Sequence, residues 1–156
     1  MQIPSKFVVL DLETTNLISP EVQASEVGIV QAAVLNQDER VLFSAMCRPD
    51  NARWSEYASK LHRIDVTEVV LTEQRMLSLL RLVLRGKTVA VYNLAFDQTV
   101  LEARMERCGL ALEDVEWFDF MPMYSEWVGE WSSKHGNYKY QKLPNLSFSD
   151  RHDACS

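Results

Sequence analysis

The chain has 156 residues, 47% of them hydrophobic, and carries 22 Asp and Glu against 16 Lys and Arg for a net charge of −6. That is the length of one domain, expected over residues 1–156, able to bury about 70% of its unfolded surface, and five Gly and five Pro exclude a wholly disordered or collagen-like chain. The negative balance excludes a protein that grips nucleic-acid phosphates through massed cations, though not a nucleic-acid enzyme whose cations are metal ions.

Residues 6–13 predict a first strand, with Phe7, Val8, Val9 and Leu10 apolar on both faces as in a central strand of a covered sheet. Residues 26–35 and 40–46 predict two more, joined by a polar turn, so the three form an antiparallel meander. Trp54, Tyr57, Ala58 and Leu61, then Met76, Leu79, Leu80 and Val83, repeat at i, i+3, i+4, i+7 and predict two amphipathic helices, the second capped by Thr72 and ended by Gly86. Residues 87–92 predict a buried fourth strand. Asn93 is expected to cap a helix running to Cys108, with Gly109 as its stop. A fifth strand over 115–119 and a helix over 120–128 follow, and residues 129–150 are polar, aromatic and poorly periodic. The order implies an α/β fold, with a mixed five-stranded sheet of meander plus parallel strands flanked by helices.

No apolar run approaches the ~18 residues of a membrane span. Residues 1–6 lack the basic-then-apolar pattern of a secretory signal. Cys47, Cys108 and Cys155 show no metal-ligand spacing and fit reduced thiols, so a cytoplasmic location is expected.

Strand alternation places Asp11 and Glu13 on one face, about 7 Å apart along the first strand. An isolated Asp-x-Glu is usually a solvated strand end, yet two acids closing an apolar face repel one another and invite a cation. Asp97 shares a helical stripe with Leu94, Leu101, Met105 and Cys108, at the end of a buried strand where α/β sites are built. An acid near a helix start is otherwise accounted for by the dipole. His152 stands near the chain end in His152-Asp153-Ala154; a lone His is more often structural, and His62 and His135 are given no chemistry.

Taken together, Asp11-Leu12-Glu13-Thr14-Thr15, Asn93-Leu94-Ala95-Phe96-Asp97 and His152-Asp153-Ala154 resemble the three motifs of the DEDDh 3′→5′ exonucleases, of the DnaQ-like superfamily with its ribonuclease H-like fold. Gln31-Ala32-Ala33-Val34 resembles the small-residue segment of that family's second strand, and Leu61-His62-Arg63-Ile64 its "HGI" turn. Asn16 stands where the family has a glycine, and Asn accepts left-handed backbone best after Gly. The family's fourth acid falls five positions after its histidine, at 157, so the chain is expected to be a domain cut short of that acid and of its last helix. Leu143, Leu146 and Phe148 are the remnant of the preceding helix, and Asp150 and Asp153 the nearest spare carboxylates.

The resemblance implies a metal-dependent hydrolase that removes nucleoside 5′-monophosphates from single-stranded DNA or RNA 3′ ends. Two Mg²⁺ or Mn²⁺ ions are implied, held by Asp11, Glu13 and Asp97, with His152 as general base. Leu12, Thr14, Thr15, Asn93 and Phe96 would line the terminal nucleotide. The implied partner is a nucleic-acid 3′ end and not a membrane, and a homodimer or a larger polymerase or repair assembly is open. The alternative is a catalytically impaired module that binds nucleic-acid ends or a protein. In the aromatic tract from Trp117 to Tyr140, helix packing is the commoner explanation. Where bases are bound, Trp131, Tyr138 and Tyr140 are favoured, beside Lys134, Lys139 and Lys142.

Overall fold

The computed structural model describes residues 2–143. Strands β1 (Val8–Thr14), β2 (Ile29–Asn36) and β3 (Val41–Met46) form the antiparallel meander, and β4 (Thr88–Val91) and β5 (Glu116–Asp119) add in parallel on the other side of β1. The order β3-β2-β1-β4-β5 puts β1 at the centre. Helices α1 (Glu56–His62), α2 (Glu73–Leu84), α3 (Leu94–Arg107) and α4 (Met121–Val128) connect the strands. This is the mixed five-stranded α/β sheet expected from the sequence. No helix among the described residues is long and apolar enough to cross a membrane.

Burial follows the alternation of β1. Val8, Leu10 and Leu12 enter the core, while Val9 and Glu13 are half-buried and Asp11 is exposed. Helix α2 covers the core face with Met76, Leu77, Leu80 and Leu84, and α3 with Val100, Leu101 and Met105. The buried stripe of α2 is therefore rotated from the predicted one, leaving Leu79 exposed. Leu79, Leu82 and Val83 offer an equally apolar alternative face, so periodicity alone does not choose between them.

Three local expectations are corrected. In α1 the structure buries Ala58 and His62, and Trp54, Tyr57 and Leu61 face outward. Asn93 occupies the position before α3, but in left-handed backbone (φ 63°) and with no side-chain capping bond. Asn16 is not left-handed; Arg63, at the glycine position of the "HGI"-like turn, is, at φ 57°, and it ends α1 by donating its N–H to the Ser59 carbonyl. Thr72 does cap α2, its hydroxyl accepting the Arg75 N–H at 3.2 Å.

Rotation of α2 also carries Glu73 inside, where it meets Arg104 of α3. Both are buried, Arg104 fully. The guanidinium donates from Nε to the two Glu73 carboxylate oxygens at 2.9 and 3.1 Å, and to the carbonyls of Ser25 and Asp50 at 2.6 Å each. Glu73 in turn accepts the Ile29 N–H at 2.7 Å. A buried pair survives desolvation only with this degree of satisfaction, and removing one partner strands the other charge. Arg104→Met is expected to lower the unfolding free energy by about 3–5 kcal/mol. Urea denaturation checks this, and a loss below about 1 kcal/mol, the range of exposed pairs, would show that the pair does not brace α2 against α3.

Candidate active site

The site is built where the central strand ends. Register between β1 and β2 shifts between Glu13 and Thr14, so a bulge re-aims the chain just past the two carboxylates. Leu12, between them, packs in the core. Thr14 is buried, and its hydroxyl donates to the Asn16 carbonyl at 3.0 Å. Thr15 is fully buried; its hydroxyl donates to the Arg53 carbonyl at 2.8 Å and accepts the Gly28 N–H at 2.9 Å. Its carbonyl accepts the Ser55 N–H at 2.7 Å. Leu12 and Thr15 thus spend their side chains on the fold, and Thr15 its backbone too, its N–H donating to the Gly28 carbonyl at 2.9 Å. Gly28 admits no side chain, because a Cβ there would lie 2.6 Å from Pro49 Cβ and 2.7 Å from Ala52 Cβ.

A third carboxylate comes from α3. Left-handed Asn93 turns the chain sharply out of β4, so the first turn of α3 starts over the strand ends. Asp97 lies in that turn and is buried, on the same stripe as the core residues Leu101 and Met105. Phe96 beside it packs half-buried on the core, and Asn93 is exposed. Burial, then the charge of Asp11, then the charge of Asp119 hold the Asp97 carboxyl well above the usual carboxylate range. Asp11 from β1, Asp97 from α3 and Asp119 from the end of β5 therefore act on one region at the C-terminal edge of the parallel strands.

Asp119 escaped the sequence reading. One of its oxygens accepts the Met121 N–H at 3.0 Å and so starts α4. The available signal was an acid at the C-terminal end of a strand parallel to β1, the edge at which α/β sites assemble. His152, Asp150 and Asp153, and the helical remnant at Leu146 and Phe148, lie outside the described residues.

The donors fit a hard cation. Carboxylate oxygens drawn from several elements, without thiolate or several imidazoles, suit Mg²⁺ or Mn²⁺ over softer metals. Among the described residues, no three His, Cys, Asp or Glu side chains stand grouped as an ion would hold them. Cys47 is no donor, since burial pushes its thiol far up and its Sγ donates to the Ile29 carbonyl.

A family model described as RNase T, exonuclease, matches residues 8–156. The chain belongs to this exonuclease family. No curated protein matches it. Among solved structures, cell-death related nuclease 4 (CRN-4) matches with a TM-score of 0.62 at 12% identity, over 90% of this chain and 52% of that one. The family B DNA polymerase of the hyperthermophilic archaeon Pyrobaculum calidifontis matches with a TM-score of 0.44 at 12% identity, over 85% of this chain and 19% of the polymerase. This exonuclease-family chain thus spans about half of the CRN-4 chain and about a fifth of the polymerase chain. The likeness to CRN-4 shows the fold, ribonuclease H-like as in exonuclease structures.

The opposed carboxyl has a measurable consequence. With its folded pKa above the ordinary 3.8, Asp97 holds its proton more tightly folded than unfolded, so its contribution to stability is lost as pH rises from about 4 through the folded pKa. Asp97→Asn removes that loss. In EDTA the variant is expected to melt above wild type at pH 7, and the difference to shrink towards pH 4. Equal melting temperatures at pH 7 would mean that the carboxylate is not opposed.

Proposed function

We propose that this exonuclease-family domain hydrolyses the terminal phosphodiester at 3′ ends of single-stranded nucleic acid, DNA or RNA, releasing nucleoside 5′-monophosphates. The observation that carries the reading is the convergence of Asp97 and Asp11 from distant parts of the chain onto one edge of the sheet, where burial and then the charge of Asp11 oppose ionisation of Asp97. Proteins retain such an arrangement where a ligand repays it, and perturbed carboxyls in one place mark functional sites.

Asp11, Glu13 and Asp97 are the residues that would hold two Mg²⁺ or Mn²⁺ ions. When bound, the ions supply activation of the attacking water and neutralisation of charge on the scissile phosphate. His152 takes the proton from that water as general base, its ordinary pKa lying near working pH. Phe96 presents a half-buried ring to the terminal nucleotide and Asn93 an exposed amide, while the buried Leu12, Thr14 and Thr15 shape the strand end beside them. An unpaired end suits these contacts, because a paired terminal base would have to be freed first. Asp119 adds negative charge beside Asp97 and steadies the first turn of α4.

Two measurements test the reading. A 5′-labelled single strand is expected to shorten progressively in Mn²⁺, with no reaction in EDTA or on a 3′-blocked strand, and Asp11→Asn to lose ~100-fold or more in rate. Internal cuts, or cleavage of a circular strand, would rule out exonuclease action. Millimolar Mn²⁺ is also expected to raise the melting temperature of wild type and leave Asp11→Asn unmoved, by mass action on the folded state.

A further inference from the structure

Beyond α4 the chain makes an element that the proposed chemistry does not use. Strands β6 (Trp131–Ser132) and β7 (Asn137–Tyr138) pair as a small antiparallel hairpin, with Trp131 opposite Tyr138. Gly136, at φ 65°, supplies the left-handed residue that its turn requires, and the Lys139 N–H closes the open end on the Glu130 carbonyl at 2.7 Å. Two residues per strand do not hold a hairpin in water by themselves. Its rings do more. Trp131 and Tyr138 meet edge to face with centroids 5.2 Å apart. Trp127 stacks on Tyr124 at 5.8 Å, Tyr124 meets Tyr92 at 6.2 Å, and the Tyr92 hydroxyl donates to the Gln141 carbonyl. Tyr92 follows β4 immediately before Asn93, so its bond to Gln141 ties the chain just after the hairpin to the strand end from which α3 and Asp97 start.

The same rings are turned outward. Trp127 is 79% exposed, Tyr140 66%, Trp131 55% and Tyr138 36%. Large aromatics exposed in such density mark a contact surface. The segment that carries these rings is also basic, in a protein that is acidic as a whole. From Trp127 to Leu143 there are three lysines (Lys134, Lys139 and Lys142) and a single acid, Glu130, which lies 3.9 Å from Lys139 with both side chains more than half exposed. An apolar protein partner would explain the rings and not the lysines. A ligand with both flat π-faces and regular negative charge explains both.

We propose that the β6–β7 hairpin, with Trp127 and Tyr140, is a stacking platform for single-stranded nucleic acid, holding bases upstream of the 3′ end while Lys134, Lys139 and Lys142 meet the phosphates. The direction of the strand rests on the exonuclease reading; the binding does not. Rings braced against one another are already ordered and lose little freedom when a base settles on them, and base–aromatic stacking accepts any sequence. The bond from Tyr92 to Gln141 anchors the chain beside the platform to the end of β4, the strand that leads into α3 and Asp97. A strand engaged at both places is held by two weak sites in series, so affinity rises with length.

The test uses the full chain in EDTA, where binding is read without cleavage. Oligothymidylate of about twenty nucleotides is titrated against intrinsic tryptophan fluorescence. Quenching is expected for wild type, and a dissociation constant about 5- to 100-fold higher for Trp131→Ala. Lys134→Glu with Lys139→Glu, which leaves the ring packing alone, is expected to weaken binding and flatten its dependence on salt. In Mn²⁺, the rate on the oligonucleotide relative to that on a dinucleotide is expected to fall by about tenfold in both variants. Unchanged dissociation constants in both variants would overturn the platform, and so would binding of anionic vesicles, but not of oligothymidylate, through the same residues. Variants that keep the wild-type rate on both substrates would overturn it while leaving the exonuclease reading in place. Quenching that the variants lose, in a protein that cuts nothing, would support the platform and defeat the exonuclease reading.

Discussion

The Arg104 guanidinium, buried against Glu73, is the constraint on which the other elements depend. It joins α3 to α2 through the carboxylate, α3 to the segment before β2 through the Ser25 carbonyl, and α3 to the loop after β3 through the Asp50 carbonyl. Glu73 extends the same network to the first residue of β2 by accepting the Ile29 N–H. Four segments distant in sequence are thereby fixed around one planar group, whose fork of donors suits several acceptors at set angles. Asp97 lies two turns before Arg104 on the same helix, and therefore on nearly the same face. Fixing Arg104 sets the rotation of α3 and with it the direction of Asp97. The two buried charges of this stripe have opposite circumstances. Arg104 is saturated with acceptors, whereas Asp97 faces Asp11 and Asp119.

That contrast separates fold from site. A stripe of Val100, Leu101, Met105 and Arg104 satisfies itself and drives packing. An acid placed ahead of it and opposed by two others raises the energy of the folded state and gains nothing without a cation. The bulge after Glu13 and the left-handed turn at Asn93 belong to the same economy: each bends the chain so that a carboxylate arrives at the strand ends rather than continuing its element.

Much of this was legible in the residues. The alternation of β1 separates Leu10 and Leu12 from Asp11 and Glu13, because a strand half in the core must sort its side chains by face. The stripe through Asp97 could be counted from its neighbours for the same reason. Legibility failed where two faces were equally apolar, as in α2, and where a short helix turned its polar-aromatic histidine inward with a small residue, as α1 buries Ala58 and His62 and leaves Tyr57 and Leu61 outside. It failed at Asp119 because a lone acid at a strand end has no spacing to betray it. It failed at the β6–β7 hairpin because two residues per strand are too few to alternate. The edge-to-face pair of Trp131 and Tyr138 and the bond from the Tyr92 hydroxyl to Gln141 join residues that composition alone does not pair.

The crowding at Gly28 carries a consequence for which substitutions the protein tolerates. A side chain there would push on Pro49 and Ala52. The segment between and beside them holds the Asp50 carbonyl that anchors Arg104 and the Arg53 carbonyl that anchors Thr15, next to the carboxylate edge. One displaced loop would loosen the brace of the core and the wall of the carboxylate edge in the same movement. Damage at this position cannot be confined to either, so a saturation library of the chain would show a hole at residue 28 already in a selection for folding alone.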